Sequence, residues 1–327
     1  MVTVVVTQVE YGKAQGSFTD SAQMRFVPAP NQEAALAAAV KEAGARAVIV
    51  GPAPYAGELY AALPAGGVLA RFGVGHDGID KGKASAAGIL CTNTPGTMVN
   101  SVAELTIALL LAVSRRLLPM SAHMAAGLWQ PVEGLEVKAR KLAVIGAGAI
   151  GQRVAAIASA GLGMRVALCD RSLHRKAPYA LPGVELVAGY DEAVEAADFV
   201  SMHIPGTDEN RNFLDRERLG KLSAQTWLIN TARGSIVDEA ALYDLLAEGS
   251  LGGAALDVFA AEPYVPVAAG KDLRTLENVV MVPHVGSYTA AAAKAMAERA
   301  IANVRAAIEG RYTDMDLLNP EVLATRV

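Results

Sequence analysis

Along most of the chain, short β-branched runs alternate with longer, alanine-rich segments in which apolar residues recur at helical spacing. Residues 2–7, 47–50, 67–72 and 89–92 read as strands. Residues 32–43, 58–63 and 81–87 read as helices, the first ending at Gly44 and the last at Gly88. Residues 101–118 form a longer apolar helix, with Asn100 or Ser101 as N-cap and Pro119 beyond the last turn. Residues 128–141 are irregular and more polar. A second alternating series follows, with strands at 141–145, 165–170, 199–203, 226–230, 253–257 and 279–283 and helices at 150–160, 215–222 and 239–248. A last helix covers 289–308. Strand–helix alternation predicts βαβ units and parallel sheets, hence an α/β fold in two series of unequal size.

The 327 residues suggest about two domains at roughly 150 residues each. Aromatics are only 5% of a chain that is 52% hydrophobic, so the core is built mostly from Ala, Val, Leu and Ile. The mean hydropathy of +0.29 invites a membrane reading. The longest apolar run near the middle, residues 107–113, is far short of the roughly 18 residues a spanning helix needs, so no membrane span is expected. The N-terminus opens on a strand with no basic stretch ahead of an apolar one, so no signal peptide is expected either. A net charge of −4 argues against a nucleic-acid footprint. Two cysteines, Cys91 and Cys169, support neither a disulfide framework nor a cysteine-rich zinc site and fit a reducing cytoplasm. The five histidines show no metal-ligand spacing, so no catalytic metal is expected.

Gly146-Ala147-Gly148-Ala149-Ile150-Gly151 matches G-x-G-x-x-G. It directly follows a strand and opens a helix, the context in which this pattern binds a dinucleotide. Gly146 permits the tight turn, Gly148 lets backbone approach a pyrophosphate, and Gly151 lets helix and strand pack closely. The helix N-terminus offers N–H groups to the phosphates. Asp170, 19 residues after Gly151, ends the next strand. A carboxylate there accepts both hydroxyls of an adenosine ribose and repels a 2′-phosphate, which favours NAD. Arg171 and Arg175 follow at once and leave NADP open.

Further polar residues fall just after strands of the second series, where open α/β sheets bind ligands. Arg233 follows residues 228–232, Asp257 ends a strand, Glu262 lies five residues on, and His284 follows residues 280–283. Each alone has a bland reading as a surface ion pair, a loop carboxylate or a core plug. Together, beside a dinucleotide site, they suit 2-oxo/2-hydroxy acid chemistry. A guanidinium grips the substrate carboxylate with two hydrogen bonds and polarises the adjacent carbonyl. Hydride from the nicotinamide adds to the carbonyl carbon, and an imidazolium protonates the developing alkoxide. A neighbouring carboxylate orients the imidazole and favours its protonated form.

With these residues in place, the sequence resembles the D-isomer-specific 2-hydroxyacid dehydrogenase family from about Gly44 to Gly310. The likeness is carried by Arg71-Phe72-Gly73-Val74-Gly75 with Ile79-Asp80; Asn93-Thr94-Pro95-Gly96; Ser101-Val102-Ala103-Glu104-Leu105; the glycine turn; Ile229-Asn230-Thr231-Ala232-Arg233-Gly234; Ala255-Leu256-Asp257-Val258-Phe259 with Glu262-Pro263; and Pro283-His284-Val285-Gly286. The resemblance implies two Rossmann-like or flavodoxin-like domains with the active site in the cleft between them. Residues 1–98 plus 287–327 would bind substrate, and residues 99–286 would bind NAD. It implies Arg233 as the substrate-carboxylate residue, His284 as acid/base and Glu262 as its partner, with backbone N–H groups of Val74 and Gly75 on the substrate carboxylate. Within the cofactor turn of Gly146, Gly148 and Gly151, Ala149 and Ile150 would meet the pyrophosphate, and Asp170 the ribose. His203, Ile204, Pro205 and Thr207 would line the adenine side, and Thr231, Ala232, Asp257 and Gly286 the nicotinamide end. A homodimer is implied, with helix 101–118 near its interface.

Two positions depart from the family pattern: Gly78 stands where Asn is frequent, and Ala139 where a Gly usually precedes the first strand of the cofactor domain. The 3-phosphoglycerate enzymes look closest around residues 135–151 and 279–289. Yet Val50-Gly51-Pro52-Ala53-Pro54 lacks the basic residue those enzymes often use for phosphate, and the chain ends at Val327 with no room for a regulatory domain. Two other readings stay open: an NAD-sensing corepressor-like protein on the same scaffold, and a formate dehydrogenase-like enzyme. Glu262 speaks against the latter, which has a neutral Gln beside its His.

Overall fold

The first six residues after Met1 already set the pattern of one sheet. Val4 and Val6 face one side and Val5 the other, and all three are fully buried. A strand covered on both faces reads as an unbroken apolar run, and each such valine contributes about 1.5–3 kcal/mol over an exposed one. The computed structural model describes residues 1–171 and 181–326. The chain divides into two compact units, Met1–Met98 with Ser287–Val327, and Val99–Gly286.

The first unit holds strands β1 (Val2–Thr7), β2 (Met24–Ala29), β3 (Ala47–Val50), β4 (Val68–Arg71) and β5 (Leu90–Thr92), all parallel in the order β2-β1-β3-β4-β5. Helices α1 (Gln8–Lys13), α2 (Glu33–Glu42), α3 (Glu58–Ala62) and α4 (Lys81–Ala86) connect them. One sheet face packs on Leu36, Val40 and Leu59 of α2 and α3. The other packs on the last long helix, Ala290–Ile308, through Ala297, Ala300 and Val304. Strand β2 does not stand out in the sequence because Arg25 and Pro28 break its apolar run. It is an edge strand, where a missing N–H is tolerated.

In the second unit, α5 (Val99–Ser114) and α6 (Leu117–Ala125) precede seven parallel strands: β6 (Lys141–Ile145), β7 (Arg165–Cys169), β8 (Val184–Val187), β9 (Phe199–Met202), β10 (Trp227–Asn230), β11 (Gly253–Leu256) and β12 (Val279–Met281). Their order is β12-β11-β10-β9-β6-β7-β8. Helices α7 (Ala149–Ala156), α8 (Tyr190–Val194), α9 (Arg216–Leu219) and α10 (Glu239–Ala247) lie between strands, and α11 (Ala290–Ile308) is the helix of the first unit named above. One face of the sheet packs on α5 and α7 through Ile107, Leu110 and Val154, the other on α9 and α10 through Leu219 and Leu242. Both sheets are parallel, as the alternation predicts.

The expected helix over 101–118 is two helices. The first begins at Val99, so neither Asn100 nor Ser101 caps it. Arg116, with φ +52°, breaks the run and caps α6. Pro119 sits in the first turn of α6, where no backbone donor is needed. The buried apolar residues of α5 pack within its own unit, against α7 and strands β10 and β11. Helix α7 continues as a π turn over Ile157–Gly161, so the expected 150–160 helix changes its winding partway. Ala139 takes φ +61°, the left-handed region that a glycine enters without strain. Gly78 packs against the Ala53 carbonyl so closely that an asparagine side chain would force the loop to move.

Candidate active site

In the second unit the strand order reverses between β6 and β9, and the glycine turn lies at the carboxyl end of β6, the position where such sheets bind ligands. Gly146 has φ +111°, and a Cβ there would collide with the His203 carbonyl after β9. A Cβ at Gly151 would overlap the Gly146 carbonyl. Gly148, by contrast, would place a Cβ in open space. Gly146 and Gly151 thus answer to the protein's own packing, and Gly148 leaves the approach to the α7 N-terminus clear. No side chain caps that terminus, so the residues fit the phosphates of a dinucleotide.

Asp170 stands beside this turn, and its Oδ2 accepts the Ala147 N–H at 3.1 Å. Arg171 pairs with Glu209 at 2.7 Å on the surface, and Arg175 lies outside the described residues. Ile204, Pro205 and Thr207 follow His203 in the segment after β9. The His203 imidazole bonds to Ser201 Oγ at 2.8 Å. Burial pushes it well below the usual histidine range, so it is neutral at physiological pH although part of its surface is exposed.

Three loops at the same sheet edge carry the polar residues. After β10, Asn230 shapes the turn: its Nδ2 donates to the Arg233 carbonyl at 2.9 Å, and its Oδ1 accepts the Ala232 N–H at 3.0 Å. Thr231 Oγ1 meets Thr106 Oγ1 of α5 at 2.9 Å. Arg233 is half-buried, and its charge helps hold the Glu262 carboxyl in the ionised form.

After β11, Asp257 is buried, and its two carboxylate oxygens accept the N–H groups of Val285 and Gly286 at 2.6 and 2.9 Å. Burial raises its carboxyl, and these two bonds offset only part of that rise. The bonds hold the third loop, in which His284 takes φ +51°. A non-glycine residue in that region costs roughly 1–3 kcal/mol and persists only where its surroundings over-determine it. His284 Nδ1 meets Glu262 Oε2 at 2.6 Å, and Glu262 Oε1 accepts the Phe259 N–H at 3.0 Å. Burial alone would raise the Glu262 carboxyl. The bonds from His284 and Phe259 outweigh it and keep the group below its ordinary value.

Val74 and Gly75 belong to the first unit, in the loop after β4. Asn93 Nδ2 donates to the Val74 carbonyl at 2.8 Å, which fixes the loop without using the two N–H groups. Sequence reasoning misses Asn230 and Glu239. Asn230 reads there as the end of a strand and Glu239 as the start of a helix. Among the described residues no group of His, Cys, Asp and Glu side chains could hold a metal ion, and no helix is long and apolar enough to cross a membrane.

Residues 107–286 match the family model of the D-isomer specific 2-hydroxyacid dehydrogenase, NAD binding domain. A glyoxylate reductase from Korarchaeum cryptofilum is 37% identical over 279 residues, 84% of this chain and 82% of that protein. A D-3-phosphoglycerate dehydrogenase from Mycobacterium leprae is 36% identical over 93% of this chain but only 57% of its own length. The crystal structure of an NADPH-dependent glyoxylate/hydroxypyruvate reductase from Sinorhizobium meliloti, in complex with NADP and malonate, is 29% identical. It superposes with a TM-score of 0.78 over 93% of each chain.

Proposed function

Because the chain belongs to the D-isomer specific 2-hydroxyacid dehydrogenase family, we propose that it transfers a hydride between a nicotinamide cofactor and a small 2-oxo acid or D-2-hydroxy acid, with Arg233, Glu262 and His284 as its working residues. The observation that carries this reading is the 2.6 Å contact between His284 Nδ1 and Glu262 Oε2 within electrostatic reach of Arg233. The nicotinamide, when bound, supplies or accepts the hydride. Arg233 binds the substrate carboxylate and draws electron density from the carbonyl oxygen. With Nδ1 committed to Glu262, His284 exchanges its proton with the substrate oxygen through Nε2. The ionised Glu262 balances the imidazolium that donates this proton. A formate-type reaction moves no such proton and has no use for the pair.

In this reading residues 99–286 bind the dinucleotide, through the glycine turn, Ala149, Ile150 and Asp170, with His203, Ile204, Pro205 and Thr207 toward adenine and Thr231, Ala232, Asp257 and Gly286 toward nicotinamide. Each Asp257 oxygen accepts one backbone N–H, from Val285 or Gly286, so the residue also shapes that loop. Residues 1–98 with 287–327 take the substrate, and Val74 and Gly75 present N–H groups to its carboxylate. Asp170 gives the cofactor preference, NAD over NADP.

The test is NADH oxidation with glyoxylate, hydroxypyruvate, pyruvate and phosphohydroxypyruvate. At least one should be reduced, and silence with both NADH and NADPH overturns the reading. In the same assay Asp170→Ala should raise the KM for NADH several-fold more than that for NADPH, and an equal loss counts against the ribose assignment.

The reading extends to a homodimer in the cytoplasm. Leu117, Leu118, Met124, Leu128 and Trp129 are exposed along α6 and the segment after it, Trp129 to 85%. A run of apolar side chains of this kind marks an association surface. Both cysteines are buried and unpaired, in keeping with a reducing compartment. Sedimentation velocity should give twice the chain mass of 33.9 kDa, and Trp129→Ser should shift the population toward monomer. A wild-type monomer at micromolar concentration would refute the dimer.

A further inference from the structure

The contact between His284 and Glu262 joins two loops, and each needs an anchor to keep the side chains aligned to within a few tenths of an ångström. Asp257 anchors the His284 loop. The Glu262 loop is the less secure, since residues 260–263 are exposed. Its anchor is a side chain from a different element. Glu239, at the start of α10, is only 5% exposed, and its Oε1 accepts the Ala260 N–H at 2.5 Å.

A buried carboxyl group is costly and is retained where its hydrogen bond matters. Burial raises the Glu239 carboxyl, the Ala260 N–H lowers it, and the Glu262 charge raises it again, for a net rise. The backbone that presents Glu239 is rigid, because the Asp238 carboxylate caps α10 by accepting the N–H groups of Ala240 and Ala241, both at 3.0 Å. The same peptide packs closely on Gly234, where a Cβ would overlap the Phe259 carbonyl. The Phe259–Ala260 peptide is therefore fixed by two contacts, with the turn that carries Arg233 and with the carboxyl of Glu239.

We propose that Glu239 is a positioning residue for the acid/base pair: by accepting the Ala260 N–H it holds the 258–262 loop where Glu262 meets Nδ1 of His284. It touches neither of the paired atoms. The functional consequence rests on the acid/base reading above. The positioning itself does not, and it is measured without turnover.

An imidazole N–H bonded to a carboxylate gives a proton resonance far downfield of the amide region. In the full-length protein with NAD present, this signal should appear and should vanish in His284→Ala, which assigns it. Glu239→Ala and Glu239→Asp both remove the acceptor from reach of Ala260, the second by one methylene. Both should lose or broaden the signal, and Glu239→Gln, which keeps a carbonyl oxygen in place, should restore it. In turnover, Glu239→Ala and Glu239→Asp should lower kcat by about tenfold with the KM for NADH within about twofold, and Glu239→Gln should recover most of kcat.

An unchanged signal in Glu239→Ala overturns the assignment. So does a Gln variant as impaired as the Ala variant, since charge and not the hydrogen bond would then be decisive. If the Ala variant does not fold, the Asp and Gln variants decide: a restored signal in Gln alone supports the role, and equal signals overturn it. A wild-type protein inactive on every 2-oxo acid would remove the acid/base reading, and the resonance comparison alone would then decide whether Glu239 holds the loop.

Discussion

Replacing His284 by alanine should lower kcat by about 10³-fold, within the 10²–10⁴-fold typical of a positioned general acid, while NADH binding changes by less than about twofold. The loss corresponds to about 4 kcal/mol of transition-state stabilisation. The split follows from where the groups sit. His284 lies on the loop after β12, and the glycine turn Gly146–Gly151 lies after β6. Removing the imidazole takes away the proposed proton donor and its contact with Glu262 without touching that turn. The measurement is kcat with the preferred 2-oxo acid beside an NADH fluorescence titration. Turnover near the wild-type value would strip His284 of its role, and a matched loss of NADH affinity would turn the role into a structural one.

Replacing Arg233 by alanine should lower kcat/KM for the 2-oxo acid by about 10²–10⁴-fold, the worth of two charge-assisted hydrogen bonds at roughly 1.5–3 kcal/mol each. Arg233→Lys keeps the charge and loses the planar fork, so a loss of about 10–100-fold is expected. The Lys variant separates a two-point grip from charge alone. The positioning of Arg233 favours such a grip: Asn230 ties the Arg233 carbonyl and the Ala232 N–H into one turn, and the guanidinium Nη1 donates to the Ala232 carbonyl at 2.7 Å. Steady-state kinetics across substrate concentration check it. A Lys variant as active as wild type would show that charge suffices, and an unaffected Ala variant would refute substrate binding by Arg233.

Much of the scaffold was legible in the sequence because its signals are local. Residues 47–50 and 253–256 are short apolar runs bounded by turn residues, and they form strands β3 and β11. The G-x-G-x-x-G run carries its strand and helix beside it, and the structure places the turn directly after β6. Less visible were β2 and β8, which sit at sheet edges. An edge strand is half-satisfied by solvent and tolerates residues such as Pro28 that break the apolar pattern. The break at Arg116 escaped because the apolar runs up to Val113 and from Leu117 both suit a helix, and hydrophobic periodicity does not register a single backbone reversal between them.

The candidate site divides in the same way. Residue types near strand ends are readable because chemistry restricts them: an Arg for a carboxylate, a His beside a Glu for a proton. What each side chain touches depends on partners far along the chain. Glu262 lies 22 residues from His284, Asp257 lies 28 and 29 from the amides it holds, and Glu239 lies 21 from Ala260. Such contacts leave no period and no fixed spacing in the chain.

By itself, then, the sequence determined the two α/β series, the glycine turn after β6 and the identity of the polar residues at the strand ends, all consequences of local backbone preference and burial period. Only the tertiary structure decided that His284 takes a left-handed backbone held by Asp257, that the long apolar helix is two, and that a buried carboxyl on α10 reaches the loop of Glu262. Those outcomes depend on which loops the parallel sheet brings side by side, and strand order is a property of the packed sheet that no short stretch of chain encodes.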